Sequence, residues 1–239
     1  MRATRLTGLL LGILSAATLT ASQAVAAPSE RTDEETLKVF LEAVAATRST
    51  DYKLAVRADR DMLTGAVSTE ARATAVTHVT EYSQSTFVTL PDLMYAQGEF
   101  GFGPEAFIEL IFGLMRVNCA FAAVADPAMG LSMAGAATTA DKSDDRTIRG
   151  TFDLSRIDGP ENTMMTVKHL RTILTPKATA IPFTAVIEDR YVRSFETVLP
   201  RADGTRLVYR MELSEIGATN KIAVPPDGKI IPAPPELYE

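Results

Sequence analysis

The strictest constraint in this 239-residue chain is an alternation of period two near its C-terminus. Leu207, Tyr209, Met211 and Leu213 hold every second position, with Arg206, Val208, Arg210 and Glu212 between them. Successive side chains of a strand point to opposite faces, so such a run buries its apolar set only as a strand. The same period recurs upstream. Ile148, Gly150, Phe152 and Leu154 alternate with Thr147, Arg149, Thr151 and Asp153, and Tyr52, Leu54, Val56 and Ala58 alternate with Lys53, Ala55 and Arg57. Phe183 to Ile187 and Val192 to Leu199 read as further strands, with Asp189-Arg190 and Ala202-Asp203-Gly204 as the turns after them. Residues 73–90, rich in Thr and Val, predict one or two more.

Three segments read as helices. Thr32 and Glu35 have capping-box spacing, and Leu37, Phe40, Leu41 and Val44 follow on one stripe. Residues 105–124 are apolar on most faces, with Glu105, Glu109, Gly113 and Arg116 on one narrow polar stripe. Pro160 suits the first turn of a third helix ending at Leu174, with Met164, Val167, Leu170, Ile173 and Leu174 inward. Residues 130–146 are small and polar and read as a surface loop and a mid-chain joint, and Pro225 to Pro235 as an extended tail. Hairpin strands with segregated helices predict an α+β fold with an antiparallel sheet.

The N-terminus has the form of an export signal. Arg2 and Arg5 precede an apolar run from Leu6 to Leu19, and Ala24-Val25-Ala26 supplies a small-x-small cleavage site. Residues 1–26 are therefore read as a signal peptide and 27–239 as one domain with a Pro-rich tail. The apolar run is shorter than the ~20 residues a membrane span needs. No Cys lies near the cleavage site for lipid attachment, so the expected product is secreted, extracytoplasmic and not lipid-anchored. Lys plus Arg is 24 against Asp plus Glu at 30, a charge of −6. That balance gives no basic excess to grip a phosphate backbone, so no nucleic-acid partner is expected. One Cys and two His exclude an internal disulfide and an ordinary zinc site, and neither a metal nor a cofactor is expected.

Catalytic signals are thin. Gly130-Leu131-Ser132-Met133-Ala134 departs from a nucleophile elbow at Ala134, where the elbow needs Gly. A serine hydrolase using Ser132 is therefore the remote alternative. His78 and His169 could each act as a general base, but spacing identifies no partner for either. Asp141, Ser143 and Asp145 begin a calcium-loop spacing that fails where Arg146 and Phe152 replace the required Gly and Glu, leaving a solvated charge run. No catalytic residues are assigned, and the chain is read as a non-enzyme. Asn118 stands in the middle of the apolar face of the 105–124 segment, where a buried amide needs a partner in backbone, water or ligand.

The C-terminal half contains Arg149-Gly150-Thr151-Phe152-Asp153-Leu154, Ala180 to Ala185 running to Glu188-Asp189, Tyr191-Val192-Arg193, Leu213 to Gly217, and Ile222-Ala223-Val224-Pro225-Pro226. In these segments it resembles the LppX/LprAFG family of actinobacterial cell-wall lipoproteins, within the LolA/LolB-like lipoprotein-carrier superfamily. The resemblance implies a strongly curved antiparallel sheet, a half-barrel, with helices packed across its concave face and acyl chains held between. It implies a binding protein of the cell envelope that carries or senses a lipid or other apolar ligand in a hydrophobic cavity, with transient membrane contact. Phe107, Ile111, Leu114, Met115, Asn118 and Phe121 from the apolar segment would line that cavity, with Phe152 and Phe183 opposite. The alternative is a LolA-like interaction or sensor module whose groove is filled by its own side chains and which binds another envelope protein. The family's lipidated Cys is absent, and the chain has no Trp.

Overall fold

The computed structural model describes residues 34–98, 107–111, 126–157, 174 and 178–233. These form twelve strands in one sheet and two helices: α1 (Glu34–Arg48), β1 (Tyr52–Ala58), β2 (Asp61–Ser68), β3 (Ala73–Val79), β4 (Gln84–Thr89), β5 (Leu93–Gln97), β6 (Phe107–Ile111), α2 (Gly130–Gly135), β7 (Ala137–Lys142), β8 (Thr147–Phe152), β9 (Ile181–Glu188), β10 (Tyr191–Pro200), β11 (Arg206–Ser214) and β12 (Ile230–Pro232). The strand order is β12-β6-β5-β4-β3-β2-β1-β11-β10-β9-β8-β7. Every pairing is antiparallel except that of β12 with β6. The fold is α+β, and the sheet is open, with β7 and β12 as its edges.

Register carries the amphipathic pattern across the whole sheet. Leu54 lies opposite Leu213 and Val56 opposite Met211, which joins the N-terminal and C-terminal halves of the chain in one ladder. Met211 lies opposite Phe195, Phe195 opposite Ala185, and Ala185 opposite Ile148. In the other direction Leu54 faces Gly65, Gly65 faces Val76, Val76 faces Phe87, and Phe87 faces Ala96. Directly opposite residues share a face, so this row is a single apolar surface running from β5 to β8. Leu54, Val56, Phe152, Phe183, Leu207 and Tyr209 all lie on it and all are buried, as their alternation predicts. On β1, β10 and β11 the opposite face carries Lys53, Arg57, Glu196, Arg210 and Glu212, all exposed, whereas on β3 to β5 it carries the buried Ala73, Val88 and Tyr95.

α1 covers the β7 to β10 side of the apolar face. Phe40, Ala43, Val44 and Thr47, at spacings of three and four, are its buried stripe. Thr47 Oγ1 accepts a hydrogen bond of 2.9 Å from the Val192 N–H. The β9–β10 ladder shifts register between Val192 and Ser194, and Thr47 supplies the partner that Val192 would otherwise lack. The two-residue turn Asp189-Arg190 has φ of 51° and 65°, the left-handed pair that matches the twist of its flanking strands.

Three expectations are corrected. The 105–124 segment does not begin as a helix: Phe107–Ile111 is β6, paired with β5 and β12. A short apolar run carries no period that separates strand from helix, and pairing on both sides satisfies its backbone. Residues 130–146 are not a loop but α2 and β7, and only residues 143–146 form the exposed turn. The Pro-rich tail is not wholly extended: a 3-10 turn at Asp227–Lys229 leads into β12. Residues 59–72, for which no element is expected, hold all of β2. The helix read over 160–174 lies outside the described residues apart from Leu174, which is buried and bridges Arg201.

Candidate functional site

The apolar face divides into two unlike halves. On the β8 to β10 side the face is packed with rings. Phe40 of α1 stacks on Phe183 at a centroid distance of 5.0 Å and an interplanar angle of 20°. Phe183 stacks on Phe195 at 5.4 Å, and Phe152 meets Phe195 at 5.9 Å in a tilted arrangement. Each such pair contributes about 0.5–1.5 kcal/mol beyond its buried area. On the β2 to β5 side the same face presents Gly65, Val67, Val76, Phe87, Met94 and Ala96, all but Gly65 buried and part of the same apolar cluster. Among the described residues no helix packs across β2–β5 as α1 packs across β7 and β10.

The residues expected to line a cavity fall differently. Phe152 and Phe183 are on the apolar face as expected, buried and in ring contact. Phe107 and Ile111 lie in β6, and their side chains are outside what is described. Leu114, Met115, Asn118 and Phe121 lie outside the described residues, as do Cys119 and His169.

A polar cluster, buried at Asp126, Tyr52 and Tyr209 and exposed at Arg48, lies where α1 ends and α2 begins. The Asp126 carboxylate accepts the backbone N–H of Leu131 at 3.3 Å and of Ser132 at 2.6 Å, so it caps α2 from the preceding turn. Arg48, in the last turn of α1, donates through Nη2 to Ser132 Oγ at 2.8 Å. Burial pushes the Asp126 carboxyl above the ordinary carboxylate range, against the opposing pull of Ser132 and Arg48. Tyr209 donates its hydroxyl to the Ala128 carbonyl at 2.9 Å. Burial first, and the nearby Asp126 charge second, push both Tyr52 and Tyr209 well above the usual phenol value. Ser132 therefore sits inside a short helix followed by strand β7, not at the strand-to-helix turn that exposes a nucleophile. The sequence signal for this role is the position of Asp126, five and six residues before the N–H groups it accepts.

A second polar node closes the other side. Asp51 accepts from the N–H of Thr69 at 2.7 Å, from Thr69 Oγ1 at 3.0 Å and from the N–H of Asn220 at 2.9 Å. Asn220 in turn donates its side-chain amide to the carbonyls of Tyr52 and Val67. Burial acts to raise the Asp51 pKa, and the hydrogen bonds from Asn220 and Thr69 outweigh it, leaving a net lowering. This node ties the segment after β11 to the ends of β1 and β2.

His78, one of the two candidate bases, lies on the apolar side of β3, opposite Ser85 of β4 and Leu63 of β2. Its Nε2 is 3.8 Å from Asp61 Oδ2. Neither partner was legible in sequence, because only strand pairing brings them to His78. Among the described residues no helix is long and apolar enough to cross a membrane. No protein-family model and no curated protein matches the chain.

Proposed function

We propose that this protein is a secreted binding protein of the cell envelope that carries or senses a lipid or other apolar ligand, held by its acyl chain against the apolar face of the sheet. The observation that carries the reading is the extent of that face, one apolar surface running from β5 to β8. The β8 to β10 half is closed by the rings of Phe40, Phe152, Phe183 and Phe195, and the β2 to β5 half continues the surface through Gly65, Val76, Phe87, Ala96 and Met94. We place the ligand on the second half, apart from Phe152 and Phe183, which lie in the ring-packed half. The open antiparallel sheet with a helix on one face is compatible with the half-barrel that the resemblance to lipoprotein carriers implies. Burying one CH₂ is worth about 0.8 kcal/mol, so a long acyl chain binds usefully without a charged contact. In this reading the chain reaches its compartment through cleavage after Ala26 and remains unanchored.

Native mass spectrometry of protein purified from the exported fraction tests the proposal. Retained mass in the range of a lipid, released by organic solvent, supports it. A bare polypeptide that also takes up no acyl lipid in vitro contradicts it and favours a groove filled by the protein's own side chains, with a protein as partner. The stacking of Phe40 on Phe183 is the specific observation that favours this second reading.

A further inference from the structure

We propose that the polar face of β10 and β11 is self-complementary, and that a second copy of the chain packs on it, sheet against sheet, about a twofold axis parallel to these strands and midway between them. The inference is independent of the carrier reading, because it uses the face of the sheet opposite the ligand.

Two valines break the polar character of this face. Val208 is 50% exposed and Val198 is 37% exposed, although both stand on central strands of the sheet. They lie directly opposite one another, so their side chains form one apolar spot facing solvent. The charges around the spot balance. From Ser194 to Pro200 on β10, and on the residues of β11 across from them, the outward charges are Glu196, Arg206, Arg210 and Glu212, two of each sign. Arg210 Nη2 is 2.7 Å from Glu212 Oε1, while Glu196 makes no ion pair among the described residues. A neutral patch of this kind gives an anionic surface such as nucleic acid no excess of positive charge to hold. It fits a partner that carries both signs and an apolar centre at the same spacing.

The register makes the chain itself that partner. Residues directly opposite in an antiparallel pair stand at one level along the strands. A twofold axis lying between the two strands, in the plane of contact, therefore sets each residue against the second copy of its cross-strand neighbour. Val198 meets Val208 of the second copy, and Glu196 meets Arg210. Pro200 meets Arg206 and Ser194 meets Glu212, so no like charges face each other. The flanking strands continue the match, because Ala55 of β1 is level with Val186 of β9, and Arg57 with Thr184. Every contact occurs twice, as an isologous interface requires. An axis along β11 itself would instead set Arg206, Arg210 and Glu212 each against its own copy. Sheets stacked in this way keep their strands within about 30° of each other, so the match is closest near the axis, at the valines and the Glu196–Arg210 pairs. The valines supply the apolar centre, and the ion pairs fix register and partner choice.

Sedimentation velocity of the exported chain at micromolar concentration tests the proposal, with circular dichroism to check that each variant is folded. The parent should sediment as a dimer. Val208→Lys should shift it to monomer. Glu196→Arg sets Arg against Arg across the axis, and Arg210→Glu sets Glu against Glu, so each alone should weaken association by about tenfold or more. Mixed together, these two variants present opposite charges at both positions and should associate with each other as a heterodimer. A purely structural role for either residue gives no such rescue. A parent that stays monomeric overturns the inference, as does a dimer that all three variants leave intact. Folded charge variants that stay monomeric when mixed overturn it too. None of these outcomes bears on lipid retention by the opposite face, which native mass spectrometry reads separately.

Discussion

Phe40 of α1 and Phe183 of β9 stack face to face, with ring centroids 5.0 Å apart and planes within 20°. Phe40 is fully buried, and Phe183 is 4% exposed. This contact fixes α1 on the sheet and marks the half of the apolar face that no ligand is needed to fill.

Phe40→Ala should therefore behave as a core truncation. Loss of the ring removes its transfer energy and opens a void against Phe183, and such changes cost about 3–5 kcal/mol. Urea unfolding followed by circular dichroism should show a large drop in midpoint, with acyl-lipid binding kept in whatever fraction remains folded. A near-neutral effect would mean that α1 is not a fixed part of the core.

Thr47→Val tests the link between helix and bulged strand. The substitution keeps the shape of the side chain but deletes the acceptor of the Val192 N–H, at 2.9 Å. A buried donor left unsatisfied costs about 1–3 kcal/mol. Hydrogen exchange at the Val192 amide should accelerate by more than that of its neighbours. Unchanged exchange there would show that the N–H has another partner.

Asp51 and Asp126 should give opposite pH dependences. The Asp51 pKa is lowered in the folded chain, so its stabilisation is present above the unfolded value of ~3.9 and disappears as pH falls through the folded value. The Asp126 pKa is raised, so the folded state loses stability as pH climbs from ~3.9 to that raised value. Unfolding midpoints measured from about pH 3 to about pH 8 should show a shallower acid limb in Asp51→Asn. Asp126→Asn should show less decline on the other side of ~3.9. The slopes are the readout, because each variant also loses hydrogen bonds at every pH. Parallel profiles for parent and variants would contradict the assignment.

The parts of this architecture that were legible in sequence are those where alternation was unbroken. β1, β8 and β11 show it plainly, and the Asp189-Arg190 turn stands between two such runs. β2 was hidden because Gly65 and Ala66 interrupt the contrast between its faces. β6 was read as helix because the Phe107–Ile111 run is apolar at every position but Glu109 and so carries no decisive period. β7 was hidden by the charge run that begins at Asp141 and by its position as an edge strand, half covered by α1. Functional residues were harder still. Asp61 and His78 are far apart along the chain, and only the pairing of β2 with β3 brings their side chains within 3.8 Å.

The most direct test of the central claim uses the absence of tryptophan from the chain. Phe87→Trp puts a sole reporter on the half of the apolar face assigned to the ligand, and Phe183→Trp puts one under Phe40 on the packed half. Both variants are titrated with an acyl lipid brominated along its chain, a quencher that acts only on contact. The account predicts saturable quenching of Trp fluorescence in Phe87→Trp and little or none in Phe183→Trp. Absence of quenching in both folded variants, or equal quenching in both, would contradict the placement of an acyl ligand on the β2 to β5 side of the sheet.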